Sequence, residues 1–220
     1  MKKNLQFFMN YKRTALMLLL FLTLQSVFAS GSLTVGTASV SQSTICSGED
    51  VTLSLTGNSL AANIKWQESL NGVWSDINGA NSALYVLNNL TQTKHFRAIA
   101  SKTGSLNDTS NIVLVTVNPL PVISLSVGGA GSICSGTATN ITVAASVNGT
   151  NYQLRNGIIN VGSSVDGTGG LINLPTGNLN SNTTFNVYAT LGSCSAQLTE
   201  TELVTIINPS MSSTSIATIC

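Results

Sequence analysis

The chain has 220 residues, of which 43% are hydrophobic and only 8% are charged, with a formal net charge of +1. This composition argues against charge-driven disorder, because the Val, Ile, Leu and Thr content is sufficient to build buried β layers. Four of the nine basic residues precede residue 14, so the remainder has five basic and eight acidic residues. Such a mildly acidic surface has no basic stripe to neutralise phosphates, and binding of nucleic acid is not expected.

The first 29 residues predict an export signal. A basic segment ends at Lys12-Arg13, an apolar run covers Ala15 to Val27, and Val27-Phe28-Ala29 supplies small residues for cleavage. The apolar run is shorter than the roughly 20 residues that span a bilayer, so no membrane span is expected in the mature chain. We expect cleavage to leave Ser30 at the N-terminus of a secreted, cell-surface protein.

A cysteine-containing phrase recurs along the chain. It reads Thr44-Ile45-Cys46-Ser47-Gly48, then Ser132-Ile133-Cys134-Ser135-Gly136, and Thr218-Ile219-Cys220 at the end, in steps of 88 and 86 residues. A second marker, Val117-Asn118-Pro119, recurs as Ile207-Asn208-Pro209 after 90 residues. Independent markers with one common period predict an array of small domains.

The markers predict a signal peptide over residues 1–29, repeat 1 over residues 30–118, repeat 2 over residues 119–209, and the first strand of a truncated third repeat over residues 210–220. Two prolines stiffen the predicted joint between the repeats, which reads Pro119-Leu120-Pro121. The strand at residues 210–220 has no partner strands in the printed sequence, and we expect it to be disordered.

Within each repeat, apolar residues alternate with polar ones, as they do in half-buried strands. The predicted inward-facing sets are Val51-Leu53-Leu55, Ile64-Trp66, Phe96-Ala98-Ala100 and Ile112-Leu114 in repeat 1, and Ile141-Val143, Phe185-Val187-Ala189 and Val204-Ile206 in repeat 2. Pairs such as Asn71-Gly72 and Asn148-Gly149 provide tight turns between them. The predicted fold class is all-β, with tandem immunoglobulin-like antiparallel β-sandwiches after an N-terminal signal peptide.

These residues resemble the immunoglobulin-like or PKD-like repeats of large secreted proteins from Bacteroidetes. The matching phrases include Ile45-Cys46-Ser47-Gly48, Lys65-Trp66-Gln67-Glu68, Leu174-Pro175-Thr176-Gly177 and Thr184-Phe185-Asn186-Val187-Tyr188, and the likeness covers most of residues 40–220. The resemblance implies adhesin-like or stalk-like surface proteins, many of which carry a C-terminal sorting domain for type IX secretion. The matching residues include no part of that sorting domain, and the resemblance supplies no catalytic residues.

In an exported chain, four cysteines are candidates for disulfides. In repeat 2, Cys134 lies just before one predicted strand and Cys194 just after the strand of Phe185, and we predict a disulfide between them. In repeat 1 the position that corresponds to Cys194 holds Ser105, which leaves Cys46 as an unpaired cysteine within its repeat. Two interpretations of Cys46 remain open: a buried, unreactive thiol, or a bridge to another chain or a missing segment. For Cys220 we expect a partner beyond the printed sequence.

No catalytic or metal-binding constellation is predicted. His95 alternates with the inward-facing residues of its strand and is expected on the solvent face, and one histidine without a Cys-x-x-Cys pair argues against zinc. The adjacent acids Glu49 and Asp50 supply too few oxygens for a calcium site on their own and are interpreted as solvated side chains. No cofactor is expected.

Of the three aromatic residues Trp66, Trp74 and Tyr85 in repeat 1, two remain as candidates for binding. Trp66 shares a face with Ile64 and is interpreted as a core residue. Trp74 follows a turn, where it either caps the edge of the core or presents a ring on which a ligand stacks. The role of Tyr85 is likewise unsettled, and it is a second candidate for ligand stacking.

The leading hypothesis is a non-catalytic extracellular repeat module that acts as a surface stalk or an adhesin-like structural segment. One alternative is a module that binds glycans or surface proteins through Trp74. Another is a set of spacer repeats in a secreted hydrolase whose catalytic domain lies outside this sequence. The expected partners are glycans or surface proteins and further repeats of the same chain.

Overall fold

The computed structural model describes residues 33–129 and 131–208. The predicted signal peptide, the predicted strand over residues 210–220 and Cys220 therefore lie outside the described residues. Within the described ranges every regular element is a β-strand, and there is no helix.

Eighteen strands are numbered in chain order. The first nine are β1 (Thr37–Val40), β2 (Thr44–Cys46), β3 (Glu49–Thr56), β4 (Asn63–Leu70), β5 (Val73–Asp76), β6 (Leu84–Leu90), β7 (Lys94–Ser101), β8 (Asp108–Thr109) and β9 (Val113–Asn118). The second nine are β10 (Val127–Gly128), β11 (Ser132–Cys134), β12 (Thr137–Val143), β13 (Thr150–Asn156), β14 (Ile159–Asn160), β15 (Val165–Asp166), β16 (Ile172–Leu179), β17 (Thr183–Leu191) and β18 (Cys194–Ile207).

The strands form four sheets, two in each half of the sequence. In the first half the orders are β1-β3-β6 and β2-β9-β7-β4-β5, with β8 beside β7. In the second half they are β10-β12-β16 and β11-β18-β17-β13-β14, with β15 beside β13. Both halves place a short strand parallel to the last long one, β2 beside β9 and β11 beside β18. These orders are those of an immunoglobulin-like fold, which confirms the predicted all-β class.

The chain divides into two compact units whose limits do not follow the predicted boundary after residue 118. One unit contains the described residues up to Ser39, with Leu53–Tyr85 and Phe96–Val113. The other contains Val40–Thr52, Val86–His95 and the chain from Leu114 onward. The predicted repeat boundaries stay predictions.

In the first unit, the alternation predicted for β3, β4 and β7 is present. Leu53, Trp66 and Phe96 are each 0% exposed. The Asn71-Gly72 turn joins β4 to β5 with positive φ at both residues, 55° and 86°, as a tight hairpin requires.

The predicted inward set Ile112-Leu114 is wrong. Ile112 is 55% exposed and Leu114 is 42% exposed, whereas Val115 is fully buried. The segment is apolar at four consecutive positions, so alternation of residue type does not fix its register, and the face is decided by strand pairing.

The second unit has a core drawn from both sheets of the second half of the sequence. Its largest fully buried side chains are Tyr152, Phe185, Ile141, Leu154 and Leu174. The phenolic oxygen of Tyr152 accepts a hydrogen bond from the Val147 amide at 2.9 Å, so the buried ring keeps a partner for its polar atom. A Cβ at Gly167 would collide with the Val147 carbonyl, so only glycine fits this close approach.

Candidate functional site

The structure joins Cys46 to Cys194 in a disulfide, with an S–S distance of 2.04 Å and a sequence separation of 148 residues. Cys46 is the last residue of β2, and Cys194 is the first residue of β18. Cys194 is fully buried. The bond connects a cysteine of predicted repeat 1 to a cysteine of predicted repeat 2.

The predicted disulfide between Cys134 and Cys194 is therefore wrong, and so is the prediction that Cys46 is unpaired. The end of β9 explains the difference. Asn118 lies opposite Cys46 in the parallel pairing of β2 with β9, its side-chain amide donates to Ser193 Oγ at 3.3 Å, and its carbonyl oxygen lies 4.0 Å from Cys194 Sγ. The end of β9 thus brings the β17–β18 turn to Cys46.

Backbone hydrogen bonds fix the position of Cys46. The amide of Ser47 donates to the Asn118 carbonyl at 2.9 Å, and the amide of Gly48 donates to the Leu90 carbonyl at 2.9 Å. Gly48 has a φ of 94°, a conformation that favours glycine. The Ser-Gly dipeptide after the cysteine is thus a turn that anchors the end of β2.

Glu49 and Asp50, interpreted from the sequence as solvated acids, accept backbone hydrogen bonds around the same turn. Glu49 Oε2 accepts from the Cys46 amide at 2.9 Å, and Asp50 Oδ1 accepts from the Asn89 amide at 2.8 Å. Sequence reasoning missed this role.

Cys194 is positioned by a two-residue turn. Leu191 of β17 pairs with Cys194 of β18, and the turn between them begins with Gly192 at a φ of 60°. The tight turn directs the Cys194 side chain to a fully buried position.

The second copy of the cysteine phrase has the same local structure. Cys134 lies opposite Ile207 in a parallel pair, the Ser135 amide donates to the Ile207 carbonyl at 3.2 Å, and the Gly136 amide donates to the Leu179 carbonyl at 2.8 Å. Cys134 is also disulfide-bonded. Both described copies of the phrase therefore present a bonded cysteine at the end of a short parallel strand.

Trp74 lies on β5, an edge strand, within a polar network. The guanidinium of Arg97 lies 4.1 Å from the centroid of the Trp74 ring, and Arg97 Nε donates to Gln67 Oε1 at 2.9 Å. Gln67 Nε2 donates in turn to Asp76 Oδ1 at 2.8 Å. A cation–π contact covers one face of the indole, so a stacking ligand would have to use the other face or displace Arg97.

Tyr85 is half-buried on β6, an edge strand of the other sheet in this half of the sequence. The structure therefore places Trp74 and Tyr85 on different sheets. Their predicted roles in ligand stacking stay predictions.

Among the carboxylates of the described residues, Asp76 has a shifted pKa. Hydrogen bonds donated by Lys65 and Gln67 lower the pKa of the Asp76 carboxyl below its ordinary value of 3.8. The Lys65–Asp76 ion pair is 2.8 Å long and its side chains are 57% and 49% exposed, so its contribution to stability is small.

We expect Lys65→Met to raise the pKa of Asp76 toward 3.8, because it removes the largest cause of the shift. An NMR titration of the carboxyl carbons measures this change, and Lys102→Met, which alters an exposed lysine outside the network, is the control. Because the folded-state pKa is depressed, the associated stability is present above about pH 4 and is lost as the pH falls through the folded pKa. A wild-type Asp76 that titrates at or above 3.8 would contradict the network.

The remaining sequence candidates form no reactive cluster. His95 is exposed, as predicted, and no group of three or more His, Cys, Asp or Glu residues among the described ranges could hold a metal ion. A surface groove of about 500 Å³ lies beside Ile158, Phe185 and Asn186. Asn186 Nδ2 donates to Gln197 Oε1 at 2.9 Å, so these amides of the groove are bonded to each other.

Comparison with known proteins gives a family model that matches part of the chain and a set of solved structures. The family model "Domain of unknown function (DUF8696)" matches residues 34–119, which is less than half of the chain. No curated protein matched the sequence. No helix in the part of the chain that the structure describes is long and apolar enough to cross a membrane.

Three solved structures are similar over most of the chain at low identity. The fibronectin(III)-like modules of Clostridium thermocellum CbhA are 13% identical, with coverage of 82% of this chain and 93% of that chain and a TM-score of 0.38. The human OSCAR ligand-binding domain is 12% identical, with coverage of 80% and 100% and a TM-score of 0.31. Murine CEACAM1b is 11% identical, with coverage of 78% and 99% and a TM-score of 0.42.

Proposed function

We propose that this chain is a non-catalytic spacer of a secreted surface protein, in which successive immunoglobulin-like repeats are joined by disulfides. The observation that carries the proposal is the Cys46–Cys194 bond, because it links cysteines of two predicted repeats. Structural disulfides persist in oxidising compartments outside the cytoplasm, which agrees with the predicted export signal at residues 1–29.

The strand orders support the tandem arrangement. The order of the five-stranded path in the first half, β2-β9-β7-β4-β5, has its counterpart in β11-β18-β17-β13-β14. The match of the family model to residues 34–119 supports a boundary near Pro119. The proposed role is that of the stalk-like or adhesin-like surface proteins that the sequence resembles, exported in the manner of type IX secretion substrates.

Surface labelling tests the location. Intact cells that produce the protein are treated with a membrane-impermeant amine reagent, and peptides are analysed by mass spectrometry. We expect modification of Lys102, which is exposed between β7 and β8. Labelling of Lys102 only after lysis, with a cytosolic protein as the reference, would overturn an extracellular role.

Ligand screening tests the spacer role. We expect the secreted chain to show no saturable binding on arrays of glycans. Saturable binding that is lost in Trp74→Ala and kept in Tyr85→Ala would replace the spacer role with a binding role at the Trp74 network. Hydrolysis of a glycan or peptide substrate by the purified chain would overturn the non-catalytic assignment.

A further inference from the structure

We propose that the Cys46–Cys194 disulfide is a mechanical tether. Tension applied to the chain crosses the disulfide directly, so the residues between Cys46 and Cys194 do not bear it. The proposal deepens the spacer role, because a spacer at a cell surface is pulled along its chain. The route that tension takes through the chain follows from its covalent bonds alone, namely the backbone and the Cys46–Cys194 disulfide.

The path of tension is set by the position of the bond. A force applied at the two ends of the chain follows the shortest covalent route, which enters at β2, crosses from Cys46 to Cys194 and leaves along β18. Residues 47–193 form a closed loop outside this route. Among the described strands only β1, β2 and β18 lie in the path, and β3 to β17 are shielded from the tension.

The structure favours a durable tether. Cys194 is fully buried, and solvent access governs how fast a disulfide exchanges with thiols. On the other side, Cys46 is held by the hydrogen bonds of Ser47 and Gly48 to Asn118 and Leu90. A reductant is therefore excluded from the buried sulfur of Cys194, and the sulfur of Cys46 lies beside a hydrogen-bonded turn. We expect both features to slow reduction of the bond.

The expected extensions follow from chain length. In a chain over residues 30–220 with the bond intact, only about 40 residues on the outer sides of Cys46 and Cys194 can extend, which gives a maximum gain of about 150 Å at about 3.5 Å per residue. With every disulfide reduced, residues 30–220 can extend by about 650 Å. The two states differ by about fourfold.

Single-molecule force spectroscopy on the chain over residues 30–220, with handles at residues 30 and 220, tests the tether. We expect the oxidised chain to extend by no more than about 150 Å and Cys46→Ala to extend by at least about 350 Å, because tension then runs along the chain from residue 30 to residue 134 or beyond. Cys134→Ala is the matched control, since it removes the other phrase cysteine and leaves the tether in place. Its extension should stay below about 150 Å.

Two results would overturn the proposal. One is an oxidised wild-type chain that extends as far as the reduced chain. The other is a long extension in Cys134→Ala with a short one in Cys46→Ala. Neither result bears on surface labelling of Lys102, so failure of the tether and failure of the surface location are distinguished.

Discussion

Cys46→Ala is expected to lower the free energy of unfolding by up to about 5 kcal/mol, which is the loop-entropy estimate for a closure of 148 residues. The estimate is an upper figure because it counts the entropy that the bond removes from the unfolded chain and subtracts nothing for strain in the folded state. Thermal and urea unfolding under non-reducing conditions measure the change. Reduction of the wild-type protein should produce a loss of at least the same size.

The double variant Cys46→Ala/Cys194→Ala is the control for this prediction. Because the two cysteines bond to each other, removing the second should add no more than about 1 kcal/mol to the loss from the first. Losses that add fully would show that the two residues belong to different disulfides. That outcome would contradict the pairing.

Trp66→Ala is expected to cost about 3–5 kcal/mol, the range for truncating a large buried aromatic side chain. Trp66 is fully buried, and its indole Nε1 donates to the Ser82 carbonyl at 2.9 Å. The substitution removes both the packing and the partner of that carbonyl. Equilibrium unfolding in urea measures the effect.

Trp74→Ala is the matched control, because Trp74 is half-buried on an edge strand. We expect it to cost about 1 kcal/mol or less, from the lost contact with Arg97. The chain has two tryptophans, so each variant keeps one fluorophore to report unfolding. A larger loss in Trp74→Ala than in Trp66→Ala would contradict the assignment of Trp66 to the core.

Much of the fold follows from alternation of residue type. In β3, β7 and β17 apolar residues recur at every second position, and the predicted inward residues, such as Leu53, Phe96 and Val187, are fully buried. The approach fails at β9, where consecutive apolar residues leave two registers open. There the pairing of β9 decides that Val115 faces inward and Leu114 outward.

Alternation of residue type could not predict the disulfide, because the pairing of cysteines depends on which strand ends lie close together in the fold. A search for partners within one predicted repeat favours Cys134 for Cys194, since both lie in predicted repeat 2. The parallel pairing of β2 with β9 instead brings Cys46 beside Asn118, near the predicted boundary. One signal was present in the sequence: Cys194 has no counterpart in predicted repeat 1, where Ser105 stands, and Cys46 has no partner within that predicted repeat.

The polar network at Trp74 was also hidden from the sequence. Arg97, Gln67 and Asp76 come from β7, β4 and β5, which are neighbours in the order β7-β4-β5. Their side chains bond in sequence, and Arg97 connects this chain of bonds to the Trp74 ring. The distances of 2.8–2.9 Å along Arg97, Gln67 and Asp76 show that these groups bond to one another. A ligand at this face would therefore compete with bonds already made.

Disulfide mapping of the unreduced, secreted chain tests the central claim most directly. Cleavage with trypsin and then after glutamate separates the four cysteines. Glu49 lies between Cys46 and Cys134, Arg155 between Cys134 and Cys194, and Glu200 between Cys194 and Cys220. We predict a linked pair formed by the peptide that ends at Glu49 and the peptide from Asn156 to Glu200. A link between the Cys134 peptide and the Asn156–Glu200 peptide would contradict the account.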